Sequence, residues 1–392
     1  MRKSTRADVL EIINTSKELG TYKEGSDQAK ALYIYESELD TVARAEAGVK
    51  PLQPYLDAIN GITSIEDMQT VMATTLGVSA PFAGIGAGPD LNNSKMNTCW
   101  VAPGGLGLQR DYYLEQDDKN KEIREKYKEH ITRMLQFIDY SEADAKAAAD
   151  VVLKLETQLA EPRFTKVESR DIRNMNNPKK VSELQEMAPS INWTKMMDDM
   201  GIEKDIDTIM VMQPKYMVAM NEFLNTTSIE DIKTLMTWRT LDDAAAYLTP
   251  EIEKANWEFY GKTLNGSKAM RPAEERALGT VNGTVGEAIG QLYVQAKFPP
   301  EAKEKAEEMI ANVIKAFQIR IEKLDWMSPE NKLKAIEKLD KFTLKIAYPD
   351  EWRDYSEMMV KEGNSYAENM LAVQAWAEKE NLSEINEPID KK

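Results

Sequence analysis

One long stretch of the 392-residue chain carries apolar side chains at a helical spacing. Between residues 303 and 327 they follow one another at spacings of three, one, three, one, three, four and three residues, which places them on one face of an α-helix. These positions are Ala306, Met309, Ile310, Val313, Ile314, Phe317, Ile321 and Leu324. Pro299 and Pro300 precede the stretch, as expected near a helix start. The sequence therefore predicts a long helix with one apolar stripe.

The segment "SPENKLKAIEKL" predicts a second helix directly after the first. Ser328 is a candidate N-cap, because its hydroxyl can accept a hydrogen bond from a free backbone N–H of the first turn. Pro329 suits the first helical position. Leu333, Ile336 and Leu339 are expected to form the inner face.

Helices are predicted over much of the remaining chain, and extended segments are few. "SEADAKAAADVVLKLETQL" and "TLDDAAAYLTPEIEKANWEFY" fit alanine-rich helices. The best candidate strands are "MNTCWVA", "TIMVMQP" and "FTLKIAYP". The fold class is therefore mainly α, a multi-helix array with few short strands.

A near-repeat occurs in two distant places. "TSIEDMQTVM" at 63–72 resembles "TSIEDIKTLM" at 227–236. Each offers a serine N-cap, Ser64 or Ser228, followed three residues later by an aspartate, which is a capping-box pattern with Asp in place of Glu. The similarity ends after ten residues. We therefore favour an independent origin of the two capping sequences, and an internal duplication stays open as the alternative.

Charge and hydropathy exclude some classes of function. The formal net charge is −16, and the lysines are interleaved with glutamates, so nucleic-acid binding is not expected. No apolar run reaches the roughly 18 residues of a membrane helix. The first residues, "MRKSTRADVLEII", do not resemble a signal peptide, because Asp8 and Glu11 interrupt the apolar positions.

Cysteine and histidine each occur once, as Cys99 and His130. An internal disulfide is therefore impossible, and a zinc site with several histidine or cysteine ligands cannot be built from this chain. Ser-His-Asp and Cys-His catalysis would both depend on His130. Its setting, "KYKEHITRML", is an amphipathic helix, and we interpret it as an ordinary surface or half-buried histidine.

Two glycine-rich segments raise the question of phosphate binding. "GIGAGPD" at 84–90 lacks the full G-x-G-x-x-G spacing. "GGLGLQRDYYL" at 104–114 has no lysine placed as in a Walker loop, and Asp111 would repel a phosphate. We expect the glycines to permit positive φ and close approach of the chain. Gly105, Gly107, Arg110 and Asp111 are accordingly interpreted as a structural loop motif.

Several segments in the same order resemble the neprilysin and endothelin-converting-enzyme family of zinc endopeptidases, including the bacterial endopeptidase O group. The matching segments are "DQAKALYIYESELD" with "KPLQPYLDAING", "DLNNSKMN", "GLGLQRDYYL", "ESRDIRNMNNPKKVSELQEMAPSINW", "FYGKTLNG", "TVNGTVGEAIGQLYVQAKFPPEAK", "LDWMSPENKLKAIEKLDKF" and "KIAYPDEWRDYS". Two departures are visible. Ala347 replaces the glycine usual in the family's "IGYPD" motif, and "RPAEERAL" differs from the family's "RPRW" motif.

The family's catalytic motifs are not in this sequence. Relatives hold zinc through H-E-x-x-H, whose two histidines share one helical face, and a downstream E-x-x-x-D. The closing "NEPIDKK" resembles the stretch just before the catalytic half, and Met1 falls inside the family's first helix. The resemblance implies one helical lid domain over residues 1–392, with the catalytic zinc domain absent. It assigns this chain no catalytic residue, no metal ligand and no cofactor, and zinc is expected in the missing domain.

The resemblance also implies a role. The helical lobe of these enzymes covers the zinc lobe across an internal cavity, so that peptides enter and folded proteins do not. The expected partners are the C-terminal catalytic domain of the same polypeptide and peptides in the cavity, in a periplasmic, cell-surface or secreted setting. The chain alone should be inactive. A naturally truncated relative that only binds peptides or proteins remains an alternative, and an unrelated helical enzyme using Glu161 and Asp171 has little support.

Overall fold

The computed structural model describes residues 2–19, 22–75, 78 and 80–390, and this part of the chain is mainly helical. The predicted fold class is therefore confirmed. The chain divides into two compact units. Unit 1 comprises Met1–Tyr35, Ala277–Glu357 and Asp390–Lys392, and unit 2 comprises Glu36–Arg276 and Met358–Ile389.

The helices and strands follow in chain order. They are α1 (Arg2–Leu19), α2 (Asp27–Leu39), α3 (Thr41–Ala47), α4 (Gln53–Asn60), α5 (Ile65–Thr74), β1 (Ala83–Asp90), β2 (Asn93–Pro103), α6 (Arg110–Leu114), α7 (Asp118–Gln136), α8 (Glu142–Ala160), β3 (Pro178–Lys180), α9 (Val181–Met187), α10 (Trp193–Asp199), β4 (Thr208–Val211), α11 (Pro214–Thr226), α12 (Ile229–Ala244), α13 (Pro250–Trp257), α14 (Ala273–Thr284), α15 (Gly286–Lys297), α16 (Pro300–Glu322), α17 (Pro329–Asp340) and α18 (Tyr366–Ser383). Short 3₁₀ turns occupy Lys50–Leu52, Glu168–Arg170, Ile172–Met175 and Ala245–Tyr247, and a π-helical turn occupies Glu258–Leu264. No helix in the described ranges combines the length and apolarity that crossing a membrane requires.

Unit 2 contains a four-stranded sheet in the order β1-β2-β4-β3. β1 and β2 are antiparallel, with Ala83 opposite Pro103. β2 and β4 are parallel, and β3 pairs antiparallel with β4. The predicted extended segments "MNTCWVA" and "TIMVMQP" therefore supply β2 and β4.

The glycine-rich segment "GIGAGPD" was not predicted as a strand, yet it forms most of β1. Its glycines are explained by what lies over the strand. A Cβ on Gly86 would lie 2.5 Å from Oδ1 of Asn381, and a Cβ on Gly88 would lie 2.9 Å from the ring of Trp100. The Asn381 side chain also accepts a hydrogen bond from the backbone N–H of Ala87 at 3.0 Å. Glycine in this strand thus marks close approach by another side chain.

The prediction of a strand at "FTLKIAYP" was wrong, because residues 342–346 belong to neither a helix nor a strand. Phe342 and Leu344 are 56% and 47% exposed. The backbone turns at Ala347, whose φ is +64°. An L-residue with a side chain is strained in this left-handed region, whereas glycine is not. The glycine usual at this position in the resembling family is therefore explained by backbone geometry.

The core of unit 2 is built on the helix pair α7 and α8. The alanine-rich α8 begins after Ser141, whose Oγ accepts a hydrogen bond from the N–H of Asp144 at 3.1 Å. Its buried residues include the small Ala145, Ala148 and Ala149, and the helix packs against α7. The second alanine-rich segment is interrupted before α13, where Thr249 caps a new helix start.

The two near-repeats both begin helices, as predicted. Oγ of Ser64 accepts from the N–H of Asp67, and Oγ of Ser228 accepts from the N–H of Asp231, each at 3.1 Å. The reciprocal bonds differ between them. Asp67 accepts from the N–H and the hydroxyl of Thr63 at 2.9 and 2.7 Å. The hydroxyl of Thr227 instead donates to the carbonyl of Phe223 in the preceding helix. The local contacts of the two segments therefore differ.

The long helix predicted at 303–327 is present as α16, and Ser328 caps α17 by accepting from the N–H of Asn331 at 3.3 Å. The position of their apolar side chains differs from the expectation. None of the described residues of α16 or α17 is buried. Leu333, expected on an inner face, is 70% exposed, whereas Ile336 and Leu339 are half-buried. The apolar stripe of α16 is divided in the same way, with Ile310 and Ile314 half-buried and the remaining large members either half-buried or exposed.

Replacing Ala347 by glycine is expected to stabilise the chain, because it relieves a side chain at positive φ. The free energy of unfolding should rise by roughly 0.5–1 kcal/mol. Denaturant unfolding of Ala347→Gly beside the parent chain measures it. The matched control is Ala316→Gly in the exposed interior of α16, which should lower the stability by about 1 kcal/mol. Equal effects of the same sign would contradict the strain at Ala347.

Candidate functional site

The glycine loop, residues 104–109, joins β2 to the short helix α6, so the "RDYYL" part of the motif is helical. A Cβ on Gly104 would lie 2.3 Å from the backbone of Pro81. A Cβ on Gly107 would lie 1.7 Å from Oη of Tyr127. The expected close approach is therefore present. The expected positive φ was wrong, since the loop's three glycines lie outside that region of the described backbone.

A fully buried carboxylate lies directly beneath the loop. Glu156 of α8 is 0% exposed. Its Oε1 accepts the backbone N–H of Gly107 at 3.0 Å. Its Oε2 accepts the hydroxyls of Tyr113 and Tyr127 at 2.8 and 2.7 Å. Burial raises the pKa of Glu156, an effect opposed by the positive charge of Arg239 and by these hydrogen bonds.

The two tyrosine hydroxyls connect Glu156 to the surrounding chain. Oη of Tyr113 accepts the backbone N–H of Leu108 at 2.8 Å. Oη of Tyr127 accepts Nε1 of Trp238 at 2.9 Å. Desolvation, and next the charge of Glu156, raise the pKa of both tyrosines well above its ordinary value. Each hydroxyl is thus a protonated donor to the carboxylate, and the loop is held from below.

Arg239 of α12 is the buried cation of this cluster, with 6% of its surface exposed. Its Nη1 donates to Oδ2 of Asp242 at 2.8 Å, and its Nη2 donates to Asp243. A Cβ on Gly105 would lie 3.4 Å from the same Nη2, so the loop also approaches this ion pair. Tyr260 donates to Oδ2 of Asp242 at 2.8 Å. Buried charges of both signs are therefore paired, as burial requires.

His130 belongs to the same interior, and the expectation of a surface or half-buried position was wrong. It is 5% exposed and stacks on Phe259 with ring centroids 4.8 Å apart. Its Nε2 lies 3.8 Å from Oδ1 of Asp242 and has no hydrogen-bond partner among the described residues. The spacing Tyr127, His130, Ile131 places it on the inner face of α7, a signal that the sequence carried.

Arg110 and Asp111 lie at the rim of the loop rather than in its interior cluster. Nη1 of Arg110 is 3.8 Å from Oδ1 of Asp111, and Nζ of Lys166 is 2.9 Å from the other oxygen. Arg124 of α7 was not anticipated from the sequence. It donates through Nη1 to the carbonyls of Tyr112 and Glu115 at 2.6 and 2.9 Å. It thereby binds carbonyls at the end of α6.

The other residues considered for catalysis are paired locally, exposed to solvent or buried in a protonated form. Asp171 accepts the backbone N–H and the side chain of Arg173, whose hydrogen bonds lower the pKa of this carboxyl. Glu161 is exposed and follows the end of α8. Burial raises the pKa of the Cys99 thiol to about 12, so it is protonated at neutral pH and a poor nucleophile. No group of three His, Cys, Asp or Glu side chains within the described residues could hold a metal ion.

These features define a helical scaffold with a small sheet and a loop fixed over a paired buried carboxylate. Residues 1–349 match the family described as peptidase family M13. The chain therefore belongs to peptidase family M13, which confirms the resemblance found in its sequence.

Named relatives and solved structures agree with this assignment. The chain is 27% identical to neprilysin-3 of Drosophila melanogaster over 93% of its own length and 50% of the relative's. It is 25% identical to human endothelin-converting enzyme 1 over 88% of its length and 46% of the relative's. The open state of the zinc metalloprotease Zmp1 of Mycobacterium tuberculosis superposes with a TM-score of 0.88 and 28% identity, covering 99% of this chain and 60% of that one. The chain thus spans about half the length of the curated relatives.

Gly107→Ala is expected to destabilise unit 2, because the methyl group would collide with the buried Oη of Tyr127. The loss in free energy of unfolding should be roughly 3 kcal/mol. Gly105→Ala is the matched control, since its nearest neighbour lies at 3.4 Å, and it should lose less than about 1 kcal/mol. Chemical denaturation of both variants makes the comparison. A loss at Gly107 no larger than at Gly105 would show that the loop can move away from Tyr127.

Glu156→Gln is expected to change how stability depends on pH. The native state holds the Glu156 proton to a higher pH than the unfolded chain, where the pKa returns to about its ordinary 4.5. The stability contributed by protonated Glu156 is therefore fully present below the pKa of the unfolded chain, and it is lost as the pH rises through the raised pKa of the native state. Accordingly, the free energy of unfolding of the parent minus that of the variant should fall as the pH rises across this window.

Glu142→Gln on the same helix is the control for this titration. Its hydrogen bond to Lys146 lowers the pKa of Glu142. The free energy of unfolding of the parent minus that of Glu142→Gln should therefore rise with pH. The rise should begin below the pKa that Glu142 has in the native state and end near the pKa that it has in the unfolded chain. Denaturant unfolding at a series of pH values measures both variants. The same slope for both would contradict the assignment of a raised pKa to Glu156.

Proposed function

We propose that this chain is the lid and cavity wall of a neprilysin-like zinc metalloendopeptidase, and that it restricts the catalytic site to peptide-sized substrates. The observation that carries the proposal is the superposition on the zinc metalloprotease Zmp1. It includes 99% of this chain but only 60% of that protein. The single His130 cannot supply the two histidines of H-E-x-x-H, so in this proposal zinc is bound by a separate C-terminal part of the same polypeptide.

The cluster beneath the glycine loop supports a scaffolding role. A wall that selects substrates by size must keep its shape when peptides press against it. Glu156, Tyr113, Tyr127 and Arg239 hold the loop through buried hydrogen bonds and ion pairing, which lose much of their strength if any one member moves. In this proposal the residues of the motif "GGLGLQRDYYL" maintain the wall, and they take no part in bond cleavage.

The setting of the complete enzyme is part of the same proposal. Neprilysin-3 and endothelin-converting enzyme 1 are among the named relatives. We place the parent enzyme outside the cytoplasm, in the periplasm, at the cell surface or in the medium. Fractionation of the source cells with an antibody to this chain tests the location, and recovery with the cytoplasmic fraction would contradict it.

A peptide-cleavage assay tests the catalytic assignment. The 392-residue chain with added zinc should show no cleavage. The same chain mixed with the H-E-x-x-H part encoded downstream should cleave a short peptide, because the wall and the zinc site are then both present. The same target sequence placed inside a tightly folded protein should resist cleavage by the mixture at least about tenfold more than the free peptide, because entry is limited by size.

Two controls make the outcomes distinct. A downstream part whose H-E-x-x-H glutamate is replaced by glutamine should abolish cleavage by the mixture. Chelator-sensitive cleavage by the 392-residue chain alone would contradict the proposal. A native reading frame without H-E-x-x-H, together with tight peptide binding by this chain, would instead establish a binding module without catalysis.

A further inference from the structure

A cleft of about 600 Å³ opens in unit 2 between α9, α10 and the segment that follows α10. We call it the α9–α10 cleft. Its volume lies within the range of about 300–1,000 Å³ that ligand sites occupy. Its floor is apolar and is formed by Met197, Ile202 and Ile206, whose side chains are 5–8% exposed. The cleft thus has the size and the apolar floor of a ligand site.

The floor is shaped by the way α10 ends. Gly201 has a φ of +78°, and its N–H donates to the carbonyl of Asp198 at 2.9 Å. The N–H of Ile202 donates to the carbonyl of Met197 at 3.0 Å. These are the two hydrogen bonds of a Schellman cap, which reverses the chain after a helix. The reversal brings Ile202 to the same floor as Met197.

The helical walls of the cleft are fixed by hydrogen bonds. Oε1 of Gln185 on α9 accepts the N–H of Trp193 at 3.2 Å, and its Nε2 donates to the carbonyl of Ile191 at 2.9 Å. The N–H of Val181 at the start of α9 donates to the carbonyl of Asp207 at 3.0 Å. The walls are therefore ordered before any ligand binds, which lowers the entropy lost on binding.

The rim of the cleft is acidic. It carries the exposed carboxylates of Asp198, Glu203 and Asp205. None of the three forms an ion pair with another residue in the part of the chain that the structure describes. Lys195, which is close to Asp198 along α10, pairs instead with Asp199 at 2.5 Å. The rim therefore presents negative charge that is open to a cationic ligand.

Lys204 also lines the cleft, and its ammonium group is bound at the end of α18. Its Nζ donates to the carbonyls of Ser383 and Ile385 at 2.9 and 2.7 Å. It also donates to Oε1 of Glu387 at 2.6 Å. These acceptors hold the segment after α10 in place, and they leave the three carboxylates of the rim without a cation.

An apolar floor beneath an acidic rim is complementary to lysine side chains. The methylene stem of a lysine packs on apolar surface while its ammonium group remains at the edge of the solvent. A single exposed ion pair contributes little to binding, so three carboxylates around one cleft favour a ligand with several ammonium groups. A bare metal ion does not fit, because no group of three His, Cys, Asp or Glu side chains among the described residues could hold one.

Two hydroxyl groups distinguish a peptide from a simple amine as the occupant. Ser182 and Thr194 are exposed and line the cleft. A hydroxyl can donate to a backbone carbonyl and accept from a backbone N–H. A peptide offers both groups, whereas a simple polyamine offers only donors and methylene groups. The lining is therefore better matched by lysines that are carried on a peptide backbone.

We propose that the α9–α10 cleft binds a peptide segment with several lysines. The lysine stems lie on Met197, Ile202 and Ile206, and their ammonium groups lie beside the carboxylates of the rim. This site goes beyond the proposed wall, because a wall excludes large molecules whereas the cleft attracts one class of peptide by its charge. Binding to the cleft requires neither zinc nor bond cleavage, so it is measurable on the 392-residue chain.

Fluorescence anisotropy at low ionic strength tests the inference. The probe is a short labelled peptide with lysines at alternate positions and glycines between them. Asp198→Asn, Glu203→Gln and Asp205→Asn together should weaken its binding at least about tenfold, because three exposed ion pairs are lost at once. The variant should keep the circular dichroism spectrum and the unfolding midpoint of the parent, since all three side chains are exposed.

A second triple variant controls for the change in net charge. Glu46→Gln, Glu161→Gln and Glu222→Gln remove three exposed carboxylates of unit 2 that do not line the cleft. Binding of the lysine peptide should change less than about twofold in this variant, because charges far from the ligand are screened by salt. The comparison separates the cleft from a general attraction between an acidic chain and a basic peptide.

Changes in the peptide test the role of the apolar floor. A peptide with 2,4-diaminobutyrate in place of lysine keeps the positive charges but has shorter stems. It should bind at least about fourfold more weakly, which is the factor expected when the peptide loses one buried methylene group. A gain or no change would show that charge alone is recognised, and it would overturn the assignment of the floor.

Nuclear magnetic resonance of carbon-13-labelled methionine methyl groups locates the bound peptide. Met197 on the floor is 5% exposed, and Met236 in α12 is 0% exposed. Titration with the lysine peptide should shift the methyl signal of Met197 and leave that of Met236 unchanged. Met197→Leu identifies the first signal by its loss, and Met236→Leu identifies the second.

Three further outcomes would overturn the inference. Equal losses of affinity in the two triple variants would show that the peptide responds only to net charge. An unchanged methyl signal of Met197 at saturating peptide would place the binding elsewhere. Displacement of the peptide by a lower concentration of spermidine would assign the cleft to a free polyamine. Each of these results leaves the proposed lid function standing, because none of them depends on peptide cleavage.

Discussion

The buried carboxylate of Glu156 is the interaction on which the arrangement around the glycine loop depends. Removing such a charge from water has an effective penalty of several kcal/mol. The penalty is offset only if donors surround the carboxylate, and here they come from the loop, α6 and α7, with the cation of Arg239 on α12 nearby. Because every donor must keep its position, one charge on α8 fixes the relative placement of four segments of unit 2.

The motif that identified the family is explained by this packing. Position 107 requires a glycine because Tyr127 occupies the space where a side chain would lie. Position 113 requires a tyrosine because its hydroxyl both donates to Glu156 and accepts from the N–H of Leu108. These are requirements of a folded scaffold. A sequence motif can therefore identify a family through residues whose identities are explained by packing and buried hydrogen bonds.

The sequence was informative wherever the structure depends on neighbours along the chain. The caps at Ser64, Ser141, Ser228 and Ser328 and the long helix α16 depend on spacings of three and four residues, and local reasoning found most of them. Glu156 could not be found in this way, because a buried glutamate on an alanine-rich helix has the same local pattern as a solvated one. Its partners lie 29 to 49 residues away. Strand β1 was missed for a related reason. Gly86 leaves room for the side chain of Asn381, which accepts the N–H of Ala87 from 294 residues away along the chain.

The apolar side of α16 shows a different limit of the same reasoning. The spacing of Met309, Val313 and Phe317 correctly indicated one apolar side of α16, but periodicity only states that a side is suited to burial. It does not state which surface covers it. In unit 2 the answer lies within the chain, because α7, α8 and α12 cover one another. For α16 and α17 the described part of the chain leaves Met309, Val313 and Phe317 exposed. Apolar spacing therefore locates a surface that is suited to burial, and only a contact with another surface shows what covers it.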